Sequence, residues 1–390
     1  MDRRRFLRGV VMAGAGAFAA PMLGFGRCRV FADDGLPGGG PLRSSRAVGL
    51  AQDLVQRAMV IDMLGLLTLD WPRLSRWQRE PGSFGETDFA RLRASGVDVF
   101  HPAVDPNQPD APAAVRRWLA GWEQLLATYP RYFRRVDTLA DAECARAEGR
   151  IGLIVGFQNS DHFTTATDVA EFHRLGQRVS QLTYNSRNKL GSGCKAVDLG
   201  LSHFGADVVA AMNGVGMAVD VSHCGERTTL DAIAASSKPV LITHSNCAAL
   251  VGHPRCKSDA VLRAMAARGG VIGITAVRAF VRQPEAPSLE DLLDHFDHAA
   301  RVAGREHVGL GSDVDVDARD PRTGRVRPAY AIDGLEPSRR TFAVVEGLLR
   351  RGWREADVEG VLGGNFRRAL AAIWRPPAAV PAAPALPAAV

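Results

Sequence analysis

Apolar residues in this chain form short continuous runs, separated by stretches in which they recur every three or four positions. The runs are Met59–Met63, Val97–Val104, Ile151–Phe157, Val179–Tyr184, Gly216–Val221, Val240–His244, Gly270–Thr275 and His307–Gly311. Gly152-Leu-Ile-Val-Gly-Phe157 and Val240-Leu-Ile-Thr243 do not alternate polar with apolar, as expected of strands buried on both faces. Helical periodicity fills Ala113–Thr128, Asp168–Leu175, Phe204–Asn213, Thr228–Ala235 and Ser258–Arg268. Eight strands alternating with helices predict an α/β fold, a parallel (β/α)8 TIM barrel rather than an open sheet. Leu348–Trp374 reads as terminal helices. Asp315–Arg340, rich in proline, glycine and charge, reads as a long loop after the last strand, where barrels keep elements that cover a substrate.

This pattern assigns one domain to residues 49–375, with no internal repeat. Residues 33–48 are rich in glycine, proline and arginine and read as a linker. Residues 376–390, almost wholly proline and alanine, are expected to be disordered.

At 390 residues, 46% apolar and 23% charged, the chain is ordinary for a globular protein. Its net charge of +6 arises mostly at the N-terminus, where Arg3, Arg4, Arg5, Arg8, Arg27 and Arg29 face a single acid, Asp2. The basic balance therefore argues for targeting and against a nucleic-acid partner. Arg3-Arg4-Arg5-Phe6-Leu7-Arg8, followed by a Gly/Ala-rich apolar stretch, matches a twin-arginine signal peptide over residues 1–32. Cleavage after Ala32 is expected, with Ala19 as the second candidate. The apolar stretch is too short for a secure membrane span. The mature protein is expected in the periplasm or outside the cell, without a stable membrane span. Cys28 lacks the small-residue context of a lipid anchor.

Beyond residue 32 the cysteines are Cys144, Cys194, Cys224, Cys247 and Cys256. Their odd number leaves at least one thiol unpaired, and none has the Cys-x-x-Cys spacing of a structural zinc ribbon. Cys224 and Cys247, beside the histidines described next, read either as soft ligands or as small buried apolar residues.

Active-site groups of a barrel sit at the carboxyl ends of its strands. Those ends carry Asp62, His101, Gln158, Asn185 with Arg187, His223, His244 and Asp313. His223 and His244 close consecutive strands about one strand–helix–strand unit apart, so both imidazoles can emerge side by side and form half of a divalent metal site. Each alone also reads as a hydrogen-bonded core histidine. Asp313 can bind metal, act as a general base or cap a turn. Arg255, in the loop after the His244 strand, can clamp a carboxylate or lie solvated at the surface.

Several of these segments resemble successive motifs of the membrane (renal-type) dipeptidase family. They are Gln181-Leu-Thr-Tyr-Asn185, Gly200-Leu-Ser-His-Phe-Gly205, Asp220-Val-Ser-His223, Ile242-Thr-His-Ser-Asn246, His253-Pro-Arg255, Gly269-Gly-Val-Ile-Gly-Ile274 and Gly309-Leu-Gly-Ser-Asp313. Leu349-Arg-Arg-Gly-Trp353 and Gly363-Gly-Asn-Phe-Arg367 fit the family's closing helices. The resemblance spans roughly residues 50–374 and implies a zinc-bridged barrel that hydrolyses dipeptides, often with a D-residue at the C-terminal side, and commonly dimerises. It implies that His223 and His244 hold the second metal, that Arg255 holds the substrate carboxylate and that Asp313 lies near the catalytic water.

The departures fall on the first metal. The family's first strand ends in Asp-x-His-x-Asp, whereas this chain has Asp62-Met63-Leu64-Gly65-Leu66, with leucines at both ligand positions. Gln158 stands in place of the bridging glutamate, and a histidine usual after the fourth strand is replaced around Asn185–Arg187. Two close cations need anionic ligands to offset their repulsion, so the first site is expected to be empty. One zinc at His223 and His244 is expected, with Asp313 and the Gln158 oxygen as possible supplements. Arg187 is expected to set a fixed positive charge where the first cation would lie, and Asn185 and Arg187 to contact substrate. Three functions fit: a one-metal dipeptidase-like hydrolase, a maturation enzyme for a secreted peptide metabolite, and a non-catalytic barrel that binds a small peptide.

Overall fold

Each of the eight apolar runs becomes a strand of one closed parallel barrel in the computed structural model, which describes residues 44–106 and 108–374. The strands are Ile61–Asp62, Val99–Phe100, Ile151–Leu153 continued by Gly156–Phe157, Val179–Gln181, Ala218–Asp220, Leu241–Ser245, Val271–Ile274 and Val308–Leu310. The first pairs with the second and the eighth, which closes the ring. The bent third strand meets the second through Ile151–Leu153 and the fourth through Gly156–Phe157. Phe133–Arg135 adds an outer strand against the third that the hydrophobic pattern did not mark. A two-strand sheet, Gly65–Leu66 with Val314–Asp315, joins the segments that follow the first and eighth strands.

Helices cover the barrel where the 3.6-residue period placed them, with ends shifted by at most two residues: Ala111–Thr128, Asp168–Arg174, His203–Val215, Glu226–Ala235 and Asp259–Ala267. Local chemistry sets their ends. The Ser202 hydroxyl accepts from the Gly205 N–H at the start of His203–Val215, and Gly216 (φ 82°) stops the same helix in the left-handed region. The helix Ser44–Arg57 begins inside the segment read as linker. The terminal helical region opens earlier than expected, with Arg340–Arg350, and ends with Asn365–Trp374. The proposed signal peptide and the Pro/Ala tail lie outside the described residues. Among those described, no helix is long and apolar enough to cross a membrane.

Polarity divides the barrel along its axis. Ile61, Val99, Val179, Ala218, Leu241 and Val271 form an apolar layer that Phe366, Leu370 and Ile373 of the last helix plug from the amino-terminal end. Packing there is close: a Cβ on Gly309 would lie 2.5 Å from the Phe366 ring. Asp62, His101, Asp220, His223 and His244 are buried at the other end. The buried polar groups inside the barrel therefore gather at the carboxyl ends of the strands.

Candidate metal centre and active site

His223 and His244 come together at this end, their Nε2 atoms 3.0 Å apart. Hydrogen bonds on the far side of each ring fix both imidazoles. The Nδ1 of His223 lies 3.0 Å from the Asn185 Oδ1, an acceptor, so that nitrogen carries the proton. The Nδ1 of His244 lies 2.9 Å from the Thr243 hydroxyl oxygen, whose own hydrogen goes to the Asp220 carboxylate at 2.7 Å. Both Nε2 atoms therefore turn a lone pair toward the same point. Burial, reinforced by the Arg255 guanidinium, holds both rings well below the usual imidazole range, so both are neutral near pH 7.

Two lone pairs at this separation repel unless a cation lies between them. A spacing of 3.0 Å suits two nitrogens each about 2.0–2.1 Å from one zinc ion. The pair supplies two of the donors that one divalent cation would need. Among the described residues no third His, Cys, Asp or Glu joins the pair. Gln158 donates from Nε2 to the Ala103 carbonyl, and among the described residues no hydrogen bond links it to either histidine. Leu64 and Leu66, at the family's other ligand positions, are buried side chains that offer a cation nothing.

Asp220 organises the shell behind the two histidines. It accepts from the Ser222 backbone N–H and hydroxyl and from the Thr243 backbone N–H and hydroxyl, while the Ser222 hydroxyl accepts the His244 N–H. One carboxylate thereby fixes two strand ends and, through Thr243, the ring orientation of His244. The small hydroxyl residues one position before each histidine, in Asp-Val-Ser-His and Ile-Thr-His, were the only sequence sign of this shell.

Arg255 and Lys257 pin the same strand ends from outside. Arg255, 1% exposed, donates from Nη1 to the Ser222 carbonyl (2.5 Å) and from Nη2 to the His244 carbonyl (2.9 Å). Its guanidinium also lies over the Phe280 ring, and its Nε is buried without a partner among the described residues. Both terminal nitrogens of the expected carboxylate clamp thus hold main chain, and Nε remains as an uncommitted donor. The buried Lys257 ammonium donates to the Val221 and Cys224 carbonyls and the Thr229 hydroxyl; burial lowers its pKa to about 8. Nothing in the sequence distinguished Lys257 from a surface lysine.

Asp313 sits in a recess beside Arg255, with φ 58°, a left-handed conformation that aspartate tolerates better than most residues. Its N–H donates to the Leu64 carbonyl, which ties it to the segment after the first strand. Burial raises its carboxyl to about 7, against the attraction of Arg255 and with help from Asp62. That value suits a group that takes a proton near neutrality. The Tyr184 ring stacks on His223 (4.2 Å between centroids, 20° between planes). Burial and the nearby Asp313 push the Tyr184 and Tyr330 phenols upward, so both stay protonated.

Two expectations do not match this geometry. Arg187 is exposed and is absent from the charges that act on His223, which are Arg255, His244, Lys257 and Lys195. Solvent screens an exposed guanidinium, so Arg187 supplies no buried fixed cation. The buried guanidinium near the first-metal segment belongs instead to Arg340, paired to Asp62 at 3.3 Å. Asn185 does reach the site, but as the partner that orients His223. His101 lies deeper: its Nδ1 donates to the Met63 carbonyl, and its Nε2 is buried without a partner among the described residues.

Sequence and structure comparisons identify relatives of the whole barrel. The chain is 29% identical over 326 residues to an uncharacterized dipeptidase of Schizosaccharomyces pombe, covering 78% of this chain and 75% of that one. An amidohydrolase from Pseudomonas aeruginosa superposes with a TM-score of 0.71 at 28% identity, covering 83% of this chain and 99% of the other. A metallopeptidase from Rhodobacter sphaeroides, liganded with a phosphinate mimic of the dipeptide L-Ala-D-Ala, shares the fold (TM-score 0.65, 22% identity, 81% and 99% covered). Residues 49–377 match the membrane dipeptidase family, peptidase family M19, and the chain belongs to that family of metal-dependent hydrolases.

Proposed function

We propose that this protein hydrolyses dipeptides or closely related amides with a single divalent cation, zinc, held by His223 and His244. The observation that carries the reading is the pair of Nε2 lone pairs 3.0 Å apart, each imposed by a hydrogen bond at the opposite ring nitrogen. A cation held there supplies Lewis-acid polarisation of the peptide carbonyl and acidifies water.

The chain's own residues do the rest. Arg255 offers its unpaired Nε–H to the substrate carboxylate, which sets the scissile bond against the histidines. Asp313 takes a proton as water oxygen adds to the carbonyl carbon and the π electrons move onto the carbonyl oxygen. Collapse breaks the C–N bond, and the proton passes from Asp313 to the leaving amine. Leu64 and Leu66 close the side where a second cation would need ligands. The same leucines favour a second reading, a barrel that binds a peptide without cleaving it. The N-terminal twin-arginine pattern supports action in the periplasm, which cell fractionation tests directly.

Metal analysis with a dipeptide panel decides between the readings. About one zinc per chain is expected, with turnover of dipeptides that includes D-residue C-termini, and His223→Ala removes both. Less than about a tenth of a zinc after metal-replete expression overturns the hydrolase reading in favour of the binding barrel.

A further inference from the structure

A free dipeptide brings a carboxylate at one end and an ammonium at the other, and a water-excluded site must pair both. The carboxylate has the Arg255 guanidinium. The ammonium meets cations. Arg255 and Lys257 are both buried, and their hydrogen bonds to strand-end carbonyls fix them beside the histidines. Both act on the His223 and His244 rings in the same direction, joined at His223 by Lys195.

The nearby carboxylates are largely engaged. Asp220 accepts from Ser222 and Thr243 behind the histidines. Asp62 takes Arg340, Ser312 and the Leu64 N–H, and Asp315 takes the Leu69 and Ala318 N–H groups. An ammonium paired with Asp313 would lower its carboxyl from about 7 and weaken the proton acceptor. The segment that holds Asp313 through the Leu64 carbonyl is apolar: Met63, Leu64 and Leu66 are buried, as are Val314 and Val316 beside Asp315. Gln158 has an amide in place of a charge. Asp105, half-buried after the second strand, acts on the Tyr184 phenol.

We propose that the preferred substrate carries no free ammonium: it is an N-acylated amino acid, with its carboxylate at Arg255 and an uncharged acyl group toward the apolar segment Met63–Leu66. Water adds to the amide carbon and the C–N bond breaks. The products are the acid and the free amino acid, whose nitrogen takes the proton held by Asp313. This inference rests on the hydrolase reading above and narrows its substrate class.

Propionyl-D-alanine matches L-alanyl-D-alanine in shape, with a hydrogen in place of the ammonium. With zinc-loaded full chain at about pH 7, its kcat/KM should exceed that of the dipeptide by about 10²-fold or more. The ratio cancels the rise that Asp313 imposes on both substrates. It should shrink above about pH 8, where an α-amine loses its proton. A ratio below about threefold, or one that holds steady to about pH 9.5, overturns the inference and leaves the hydrolase reading standing. A preference for the dipeptide that Asp105→Asn abolishes places the ammonium on that carboxylate and likewise overturns it. If neither compound is cleaved, the hydrolase reading falls and calorimetry decides the inference. Binding of propionyl-D-alanine at least about tenfold tighter supports it, and a smaller or reversed difference overturns it. Binding of neither overturns both.

Discussion

Replacing Arg340 by methionine tests whether the first-metal side of the barrel is held by an internal ion pair. Arg340 Nη2 lies 3.3 Å from Asp62 Oδ2, and the two side chains are 7% and 2% exposed. Its Nη1 also serves the carbonyls of Asp315, Val316 and Pro337 at 3.0–3.2 Å. Breaking a buried pair by removing one partner costs about 3–5 kcal/mol, because the other charge is left uncompensated. Asp62 keeps the Ser312 N–H and hydroxyl and the Leu64 N–H, which favours the lower end; the three freed carbonyls push the other way. A loss of about 3–4 kcal/mol follows. The double variant Asp62→Asn/Arg340→Met removes the stranded charge and should regain at least about 1 kcal/mol. Urea unfolding followed by tryptophan fluorescence measures both, with the slope checked so that only the midpoint moves. A cost below about 1 kcal/mol, or a double variant no better than the single one, refutes the reasoning.

Thr243→Val keeps the shape but cuts the link from Asp220 to His244, and zinc affinity should fall about 10–100-fold in chelator competition. Asp313, raised to about 7, must be ionised to accept a proton, so turnover should climb with pH through neutrality, and a bound cation should shift the rise to lower pH. Asp313→Asn should flatten that profile and reduce kcat by about 10²–10⁴-fold. In metal-free protein a carboxyl raised above its unfolded value of 3.8 contributes stability at low pH that is lost as pH rises through about 7. Thermal melts of metal-free Asp313→Asn should therefore gain on wild type at about pH 8 relative to about pH 5. Arg255→Lys keeps the charge but cannot serve both carbonyls and a substrate; a loss in kcat/KM below about tenfold would show that the fork geometry is dispensable.

The barrel was readable because its strands are buried on both faces, so each left an unbroken apolar run, and their ends named the residues that surround the site. Phe133–Arg135 was missed because two arginines in three residues mask an outer strand. Arg187 and Arg255 show the deeper limit. Both are arginines in loops after strands, yet one is exposed and the other is among the most buried large side chains. What separates them is a pair of main-chain carbonyls brought within reach by the strands of His223 and His244, a fact of three dimensions. Lys257 and Arg340 escaped notice for the same reason, since a buried cation is defined by acceptors distant in sequence.

The bonds from Arg255 and Lys257 also divide the site mechanically. The wall that carries the histidines is cross-braced by one short loop, so a shift in any strand end would strain several hydrogen bonds at once. The segment between Asp315 and Arg340 contributes Tyr330 near Asp313 and is built from short turns with exposed charges. Change in substrate range can accumulate there without disturbing the chemistry. Exchanging that segment between family members should therefore transfer preference for side chains while leaving metal affinity where it was.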